Sequence, residues 1–269
     1  MDYALVDFLV VWSFSAVVMA ATWGWQKKTR NAGFVDVAWA GCLAFSALYC
    51  GATGSGGSWP RWLLAVLGAA WGFRLANHLL SRVLAEREDG RYAYLREHWK
   101  DNQAKFFAFF QAQALLVCLF AVPFWLAAQN PATGFTPLLG LAVLVWLGSV
   151  GGEALADKQL ADFRHNPKNR GKTCRVGLWR YSRHPNYFFE WTHWFTYVLL
   201  AWGTPYGWLS LIGPVLMLIS LYWVTGIPFV EAQSLRSRGE DYRDYQRTTS
   251  AFFPWFPKKS PTAPGAPSS

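Results

Sequence analysis

The chain has 269 residues, of which 53% are hydrophobic and 18% aromatic, while only 15% are charged. Because soluble domains carry about 25% charged residues, this composition argues against an ordinary soluble globular protein. The 17 tryptophans favour membrane interfaces, where the indole keeps its polar N–H wet and its apolar body out of water.

Seven apolar stretches follow one another along the chain, and a membrane-spanning helix needs about 20 such residues. They are residues 5–25, 34–51, 59–80, 106–128, 137–155, 187–202 and 206–230. The sixth is short and is interrupted by Glu190 and His193. Since backbone polar groups must be satisfied within each span, the sequence predicts an all-α polytopic membrane protein. Residues 1–257 are expected to form one bundle of seven transmembrane helices, and the Pro/Ser-rich residues 258–269 a disordered tail.

Basic residues alternate between the two ends of these spans. The loops after the first, third and fifth spans and the C-terminal tail are rich in Lys and Arg, whereas the other loops hold only Arg61. Basic loops stay in the cytoplasm, so the N-terminus is expected outside and the C-terminus inside. The first seven residues contain Asp2 and Asp7 but no Lys or Arg, which argues against a signal peptide. The basic face suits an anionic lipid or ligand, although topology alone would also produce it.

Polar side chains near the ends of the spans are functional candidates, because they are costly in a bilayer. They are Asp36, then Trp71, Arg74, Asn77, His78 and Arg82 on one face of the third span, then Glu153, Asp157, Glu190, His193 and Glu231. Snorkelling or structural ion pairs are the alternative for any single residue. The four cysteines lack metal-ligand spacing, so no metal is expected.

Residues 157–190 are the densest polar segment. Its cations, interleaved with aromatic residues, are Arg164, Lys168, Arg170, Lys172, Arg175, Arg180 and Arg183. The guanidinium fork matches phosphate and can stack on an adenine ring, while Asn186 and Glu190 could hold sugar hydroxyls or an amide. Because apolar spans flank this segment on both sides, a nucleic-acid partner is not expected.

A family resemblance centres on residues 177–190 (GLWRYSRHPNYFFE). This segment resembles the C-terminal signature of the steroid 5-alpha-reductase (3-oxo-5-alpha-steroid 4-dehydrogenase) family, particularly its bacterial branch. The resemblance covers most of the chain, including residues 31–39, 74–82, 157–164 and 242–254. Its Arg-His-Pro-x-Tyr core is also shared with isoprenylcysteine carboxyl methyltransferases.

The resemblance implies an enzyme that reduces the carbon–carbon double bond of a steroid or another lipid-like enone with NADPH. The protein is expected to lie in the bacterial inner membrane as a monomer. Its cofactor site would face the cytoplasm. The cofactor positions matched to the family are Arg74, Asp157, Arg164, Lys172, Asn186 and Glu190. Tyr181, Arg183 and His184 are added on chemical grounds, and Glu231, Tyr242 and Tyr245 from the C-terminal elements.

The active site is carried over less completely. Animal members of the family place a Gln-Glu pair and a Tyr around the steroid ketone. Asp36 is the counterpart of the Glu, but Trp71 stands at the Tyr position and cannot act as an acid, which leaves His78 as a candidate donor. An unpaired carboxylate in an apolar span is costly. Asp36 is therefore expected to be neutral or held from another helix, for example through His78, with a purely structural bond as the alternative.

Two other functions remain open. The segment from Glu231 to Leu235 (Glu-x-x-x-Leu) resembles the methyltransferase branch, so an S-adenosylmethionine-dependent membrane methyltransferase is one alternative. The basic run and Asp157 favour a phosphorylated cofactor instead. A non-enzymatic lipid- or sterol-binding protein is the other alternative, and it would not need the basic loop.

Overall fold

The computed structural model describes residues 2–258, and every regular element in that range is helical. The α-helices are α1 (Asp2–Thr29), α2 (Phe34–Thr53), α3 (Ser58–Ala85), α4 (Gly90–His98), α5 (Gln103–Ala127), α6 (Pro137–His165), α7 (Pro185–His193), α8 (Phe195–Ala201), α9 (Ile212–Ile219), α10 (Ile227–Arg238) and α11 (Glu240–Thr248). A π-helical segment, Ser220–Val224, follows α9. The predicted disordered tail falls, apart from Lys258, outside the described residues.

Six helical segments in the described range are long and apolar enough to cross a membrane. They are Ala4–Thr29, Phe34–Thr53, Ser58–Ala85, Gln103–Ala127, Pro137–His165 and Gly207–Arg238. These segments confirm the all-α prediction and are those of a polytopic membrane protein. The predicted span at 187–202 is not one continuous helix, because α7 ends at His193 and α8 begins at Phe195. Its apolar run is the shortest of the seven, and the buried polar side chains of Glu190 and His193 lie just before the break.

The packing divides the chain into two compact units. The first unit comprises Met1–Trp146 and Trp194–Leu216, and the second comprises Leu147–His193 and Met217–Ser269. The first boundary falls inside α6, so that one helix contributes to both units.

Within the first unit, α2 packs against α1, α3 and α5. The seam between α2 and α3 is the closest. A Cβ added to Gly68 would lie 2.4 Å from Ala47 Cβ, and one added to Gly72 would lie 2.8 Å from Ala44 Cβ. Small residues let helix backbones approach in this way, and in lipid such packing is a main source of helix association.

A buried ion-pair network fastens α4 to its neighbours at the basic end of the first unit. The Arg96 guanidinium donates to Glu88 (2.7 Å), Asp101 (2.6 Å) and Gln26 (3.1 Å), and its side chain is only 13% exposed. Glu88 in turn accepts from the backbone N–H of Ala32 at 2.7 Å. Because removing one partner leaves a buried charge uncompensated, the network fixes the α3–α4 linker against the turn between α1 and α2.

In the second unit, the loop that follows α6 is docked on that helix by a glycine turn. Gly177 has φ +56°, and an added Cβ would lie 2.3–2.4 Å from the Gln159 side chain. Gln159 accepts from Leu178 N–H at 2.8 Å, and the Trp179 indole N–H donates to the Ala156 carbonyl at 2.9 Å. Only glycine suits both the left-handed backbone and the close approach, which explains the glycine before Leu178 and Trp179.

Candidate functional site

Two predicted cofactor residues meet in the second unit. α6 carries Asp157, and α7, which begins at Pro185, carries Asn186; the Asn186 amide donates to Asp157 Oδ1 at 3.1 Å. Proline at the first helical position pre-sets the backbone for the helix, so the start of α7 and hence the direction of Asn186 are fixed locally. Both side chains are half-buried. The pair presents a carboxylate and an amide, which can bind hydroxyl or amide groups of a ligand.

Glu231 of α10 is the centre of a second polar cluster in this unit. It accepts from the Arg183 guanidinium at 2.7 Å and from the Gln246 amide at 2.7 Å, and His184 Nε2 lies 3.2 Å from the same carboxylate. Burial lowers the pKa of His184; Glu231 opposes the shift and Arg183 adds to it. The buried imidazole is therefore held in its neutral form near neutral pH.

Arg183 also ties down the C-terminal segment. Its guanidinium donates to the backbone carbonyls of Gln246 (3.1 Å) and Thr249 (2.6 Å), and its own N–H donates to the Ser250 carbonyl at 2.9 Å. These contacts give Arg183 a structural role, and its predicted contact with a cofactor stays a prediction.

The two tyrosines of α11 are buried supports of the same region. The Tyr245 hydroxyl donates to the carbonyls of Trp179 and Ser182. Burial raises the pKa of Tyr242 to about 12 and raises that of Tyr245 further. Both phenols thus remain protonated, and the hydroxyl of Tyr245 is bonded to backbone carbonyls of the protein.

The remaining predicted cofactor residues of the second unit differ in exposure. Arg164 in the last turn of α6, Lys172 in the loop and Tyr181 are exposed, whereas Glu190 of α7 is buried. The hydroxyl of Thr173, next to Lys172, is buried without a hydrogen-bond partner among residues 2–258. The two exposed cations, Arg164 and Lys172, are accessible from outside the protein.

Asp36 belongs to the first unit and takes its partners from α4. Arg91 Nη2 lies 3.0 Å from Asp36 Oδ2, and the Tyr92 hydroxyl donates to Oδ1 at 2.6 Å. Arg91 also pairs with Asp89, which caps the helix by accepting from Arg91 N–H. Burial, followed by the charge of Asp36, raises the pKa of Tyr92 well above its ordinary value, so that Tyr92 stays a donor.

Arg91 and Tyr92 were missed by reasoning from the sequence, which treated residues 82–105 as a basic loop. The signal for a helix was present, because Asp89 precedes Gly90 as an N-cap residue, and aspartate is among the preferred N-cap residues. Of the two alternatives expected for Asp36, the structure has it held from another helix, and the two donors are these residues of α4.

The candidates on α3 have different surroundings. Trp71 is fully buried, with its ring 5.5 Å from that of Trp194 in an edge-to-face contact. Arg74 and His78, one turn apart, are half-buried. Arg74 belongs to the first unit, whereas the other predicted cofactor residues belong to the second.

The fold is that of a polytopic helical membrane protein, and its second unit holds a cluster of basic and polar side chains around α6 and α7. The chain belongs to the DUF1295 family, described as a protein family of unknown function, whose family model matches residues 22–249. Neither a curated protein nor a solved structure matches the chain.

Proposed function

We propose that this protein is a membrane-embedded reductase that uses NADPH to reduce the carbon–carbon double bond of a 3-oxo-Δ4 steroid or a similar lipid enone. One observation carries the proposal. The segment that resembles the steroid 5-alpha-reductase signature is folded so that its Asn186 meets Asp157, the acidic residue of the matched element on α6.

The donor set of the second unit fits NADPH chemically. Arg164 and Lys172 are exposed cations suited to phosphate groups, including the additional 2′-phosphate. Asp157 and Asn186 can bind ribose hydroxyls or the nicotinamide amide. Bound NADPH would supply the hydride, and the protein would supply positioning and electrostatics.

The reaction places charge on the substrate ketone. When the β-carbon of an enone receives hydride, negative charge moves to the carbonyl oxygen, and a proton is later added at the α-carbon. Preorganised donors stabilise such an oxyanion. Asp36 accepts from Arg91 with one oxygen and from Tyr92 with the other. Because the single Tyr92 hydroxyl proton is used on Asp36, Arg91 would be the donor to the oxyanion, and Asp36 would act by positioning Arg91 rather than by donating a proton.

We also propose a seventh crossing, made by the broken pair α7 and α8. The basic loop before α7 and the basic C-terminal region lie on either side of residues 185–238. Both face the cytoplasm only if the chain crosses an even number of times between them. Gly207–Arg238 supplies one crossing, so residues 185–201 supply the other. With seven crossings, the N-terminus lies on the outer side of the bacterial inner membrane and the cofactor site faces the cytoplasm. The protein acts as a monomer in this proposal.

The test combines activity with binding. Purified protein is mixed with NADPH and a panel of enones, oxidation is followed at 340 nm, and the reduced product is identified by mass. In calorimetry, Asn186→Ala should weaken NADPH binding about 10–100-fold, which corresponds to losing one hydrogen bond to a charged or strongly polar group. Gln233→Ala, an exposed amide of α10 in the same unit, is the matched control. Unchanged affinity in Asn186→Ala would remove the basis of the site.

Cofactor choice is a separate comparison. NADPH should be preferred over NADH at low salt, because only NADPH offers the 2′-phosphate to the cations. Equal turnover with both would count against the basic loop as a phosphate site.

A methyltransferase that uses S-adenosylmethionine is the second candidate. It is favoured by the cluster of Glu231 with Arg183 and His184, since these residues lie in the elements shared with the methyltransferase branch. Calorimetry with both cofactors separates the candidates, because binding of S-adenosylmethionine without NADPH would favour methyl transfer. A protein that binds neither would be left with the non-enzymatic lipid-binding role.

A further inference from the structure

A basic cavity of about 350 Å³ lies on the second unit and includes none of the predicted cofactor residues. Arg175, Arg180 and Lys258 contribute its positive charge, and Thr248, Thr249, Asp244 and Pro257 complete its lining. The cavity is closed on one side by the C-terminal segment, whose Lys258 N–H donates to the Thr248 carbonyl at 2.8 Å.

The charge of this cavity is only partly neutralised. Arg175 is paired with Asp244 at 2.8 Å and with Asp241 at 3.1 Å. Arg180 and Lys258 are exposed, and neither has an ion-pair partner among the described residues. Two such cations at one cavity form a donor set that suits a phosphate group.

Aromatic side chains project from the chain next to the cavity. Trp255 is 72% and Phe256 is 77% exposed, and Tyr181 and Phe253 are exposed as well. Side chains of this size are seldom exposed together on a face that meets only water. Tryptophan and tyrosine beside basic residues are typical of the headgroup region of a membrane.

The aromatic segment is held in place rather than loosely attached. Trp255 N–H donates to the Tyr181 carbonyl at 2.9 Å, and the Ser182 hydroxyl donates to the Phe252 carbonyl at 2.8 Å. The Phe253 ring contacts those of Phe188 and Trp191 of α7. The Phe253 ring is therefore fixed against α7, and Trp255 and Phe256 follow it in the same hydrogen-bonded segment. In the topology proposed above, α7 begins a membrane crossing at the cytoplasmic face, which is where these exposed rings lie.

We propose that this surface is an anchor for an anionic phospholipid of the cytoplasmic leaflet. Arg180 and Lys258 bind the lipid phosphate, while Trp255 and Phe256 lie among the headgroups and upper acyl chains. Charge complementarity selects anionic over zwitterionic lipid, because the cytoplasmic leaflet attracts basic groups next to membrane-inserted segments. The anchor rests on the membrane orientation proposed above but is independent of the reductase activity.

The test measures lipid binding by native mass spectrometry of delipidated full-length protein titrated with phosphatidylglycerol or phosphatidylcholine. The variant Arg180→Gln/Lys258→Gln should bind phosphatidylglycerol at least about tenfold more weakly, with little change for phosphatidylcholine. Lys28→Gln/Arg236→Gln removes two exposed cations elsewhere and should bind as the wild type does. Trp255→Ala/Phe256→Ala should weaken binding of both lipids, because it removes contacts with the apolar part of the molecule.

Competition with inorganic phosphate and a parallel NADPH titration identify the source of the phosphate. Unchanged phosphatidylglycerol binding in the Arg180/Lys258 variant would overturn the proposal. So would displacement of phosphatidylglycerol by inorganic phosphate at similar concentration, or full binding by the aromatic variant. A loss of NADPH affinity with lipid binding intact would assign the cavity to the nucleotide and overturn the anchor. Loss of lipid binding with NADPH affinity intact supports the anchor whether or not the protein proves to be a reductase.

Discussion

Asp36 accepts hydrogen bonds from Arg91 and Tyr92 of α4, and an amide substitution probes this arrangement. Asp36→Asn keeps the shape but removes the negative charge that positions both donors. Enone turnover should fall about 10²-fold or more, the size of effect seen when an oxyanion-stabilising donor is lost, while NADPH binding remains.

The control for this substitution is Asp89→Asn, which removes the other carboxylate at Arg91 and keeps a residue able to cap the helix. Its turnover should stay within a few-fold of wild type. Near-normal turnover in a folded Asp36→Asn protein would refute the positioning role and leave Asp36 with a structural one.

His184 makes the stability of the fold depend on pH. Its side chain is 3% exposed, and burial lowers its pKa, so the unfolded chain binds a proton more readily than the folded protein does. Stability is therefore fully present above the ordinary histidine pKa of about 6.5 and is lost as the pH falls through the lower folded value. The melting temperature in detergent should decrease from pH 7.5 to 5.5.

His184→Gln should show a smaller decrease over the same pH range, because it has no imidazole to protonate. His98→Gln, at an exposed position of α4, should keep the wild-type slope. An identical slope in all three proteins would show that His184 does not carry the effect.

The α2–α3 seam is an element that depends on the size of single residues. Gly68→Val would force a Cβ into the Ala47 Cβ, only 2.4 Å away, and overpacking of this kind costs about 1–3 kcal/mol. Gly41→Val, in α2, meets nothing within 4 Å and is the matched control. Thermal unfolding in detergent should show a lower melting temperature for Gly68→Val alone, and equal values would argue against the close approach.

The helices differ in how far the sequence predicts them. α1 and α2 coincide with long apolar runs, because length and hydropathy alone determine a spanning helix. The break at Trp194 was not predicted, since it depends on how the buried polar residues Glu190 and His193 are accommodated in three dimensions. α4 was missed because it is short and polar, and a helix of nine residues has little stability of its own without tertiary contacts.

At the scale of the whole molecule, the sequence indicated which polar residues are functional candidates, but it did not indicate which of them form pairs in the folded protein. Asn186 and Asp157 were both chosen as cofactor residues, and the structure brings them together. The partners of Asp36 are 55 and 56 residues away along the chain. No local sequence pattern predicts the pairing of Asp36 with Arg91 and Tyr92, because it forms only when α4 packs against the turn before α2.

The number of crossings is the last property of the whole molecule that can be tested. If residues 185–201 cross the membrane, the exposed Pro205 lies outside, on the same side as Ser55 in the α2–α3 turn. If they do not cross, Pro205 stays in the cytoplasm with Arg87 of the α3–α4 linker.

Single cysteines at these three positions, in a protein whose four native cysteines are replaced, distinguish the two cases. A membrane-impermeant maleimide added to intact spheroplasts should label Ser55→Cys and Pro205→Cys, and should label Arg87→Cys only after the membrane is opened. Labelling of Pro205→Cys only after opening would eliminate the seventh crossing, and the basic C-terminal region would then have to lie outside, against the charge rule that places basic segments in the cytoplasm.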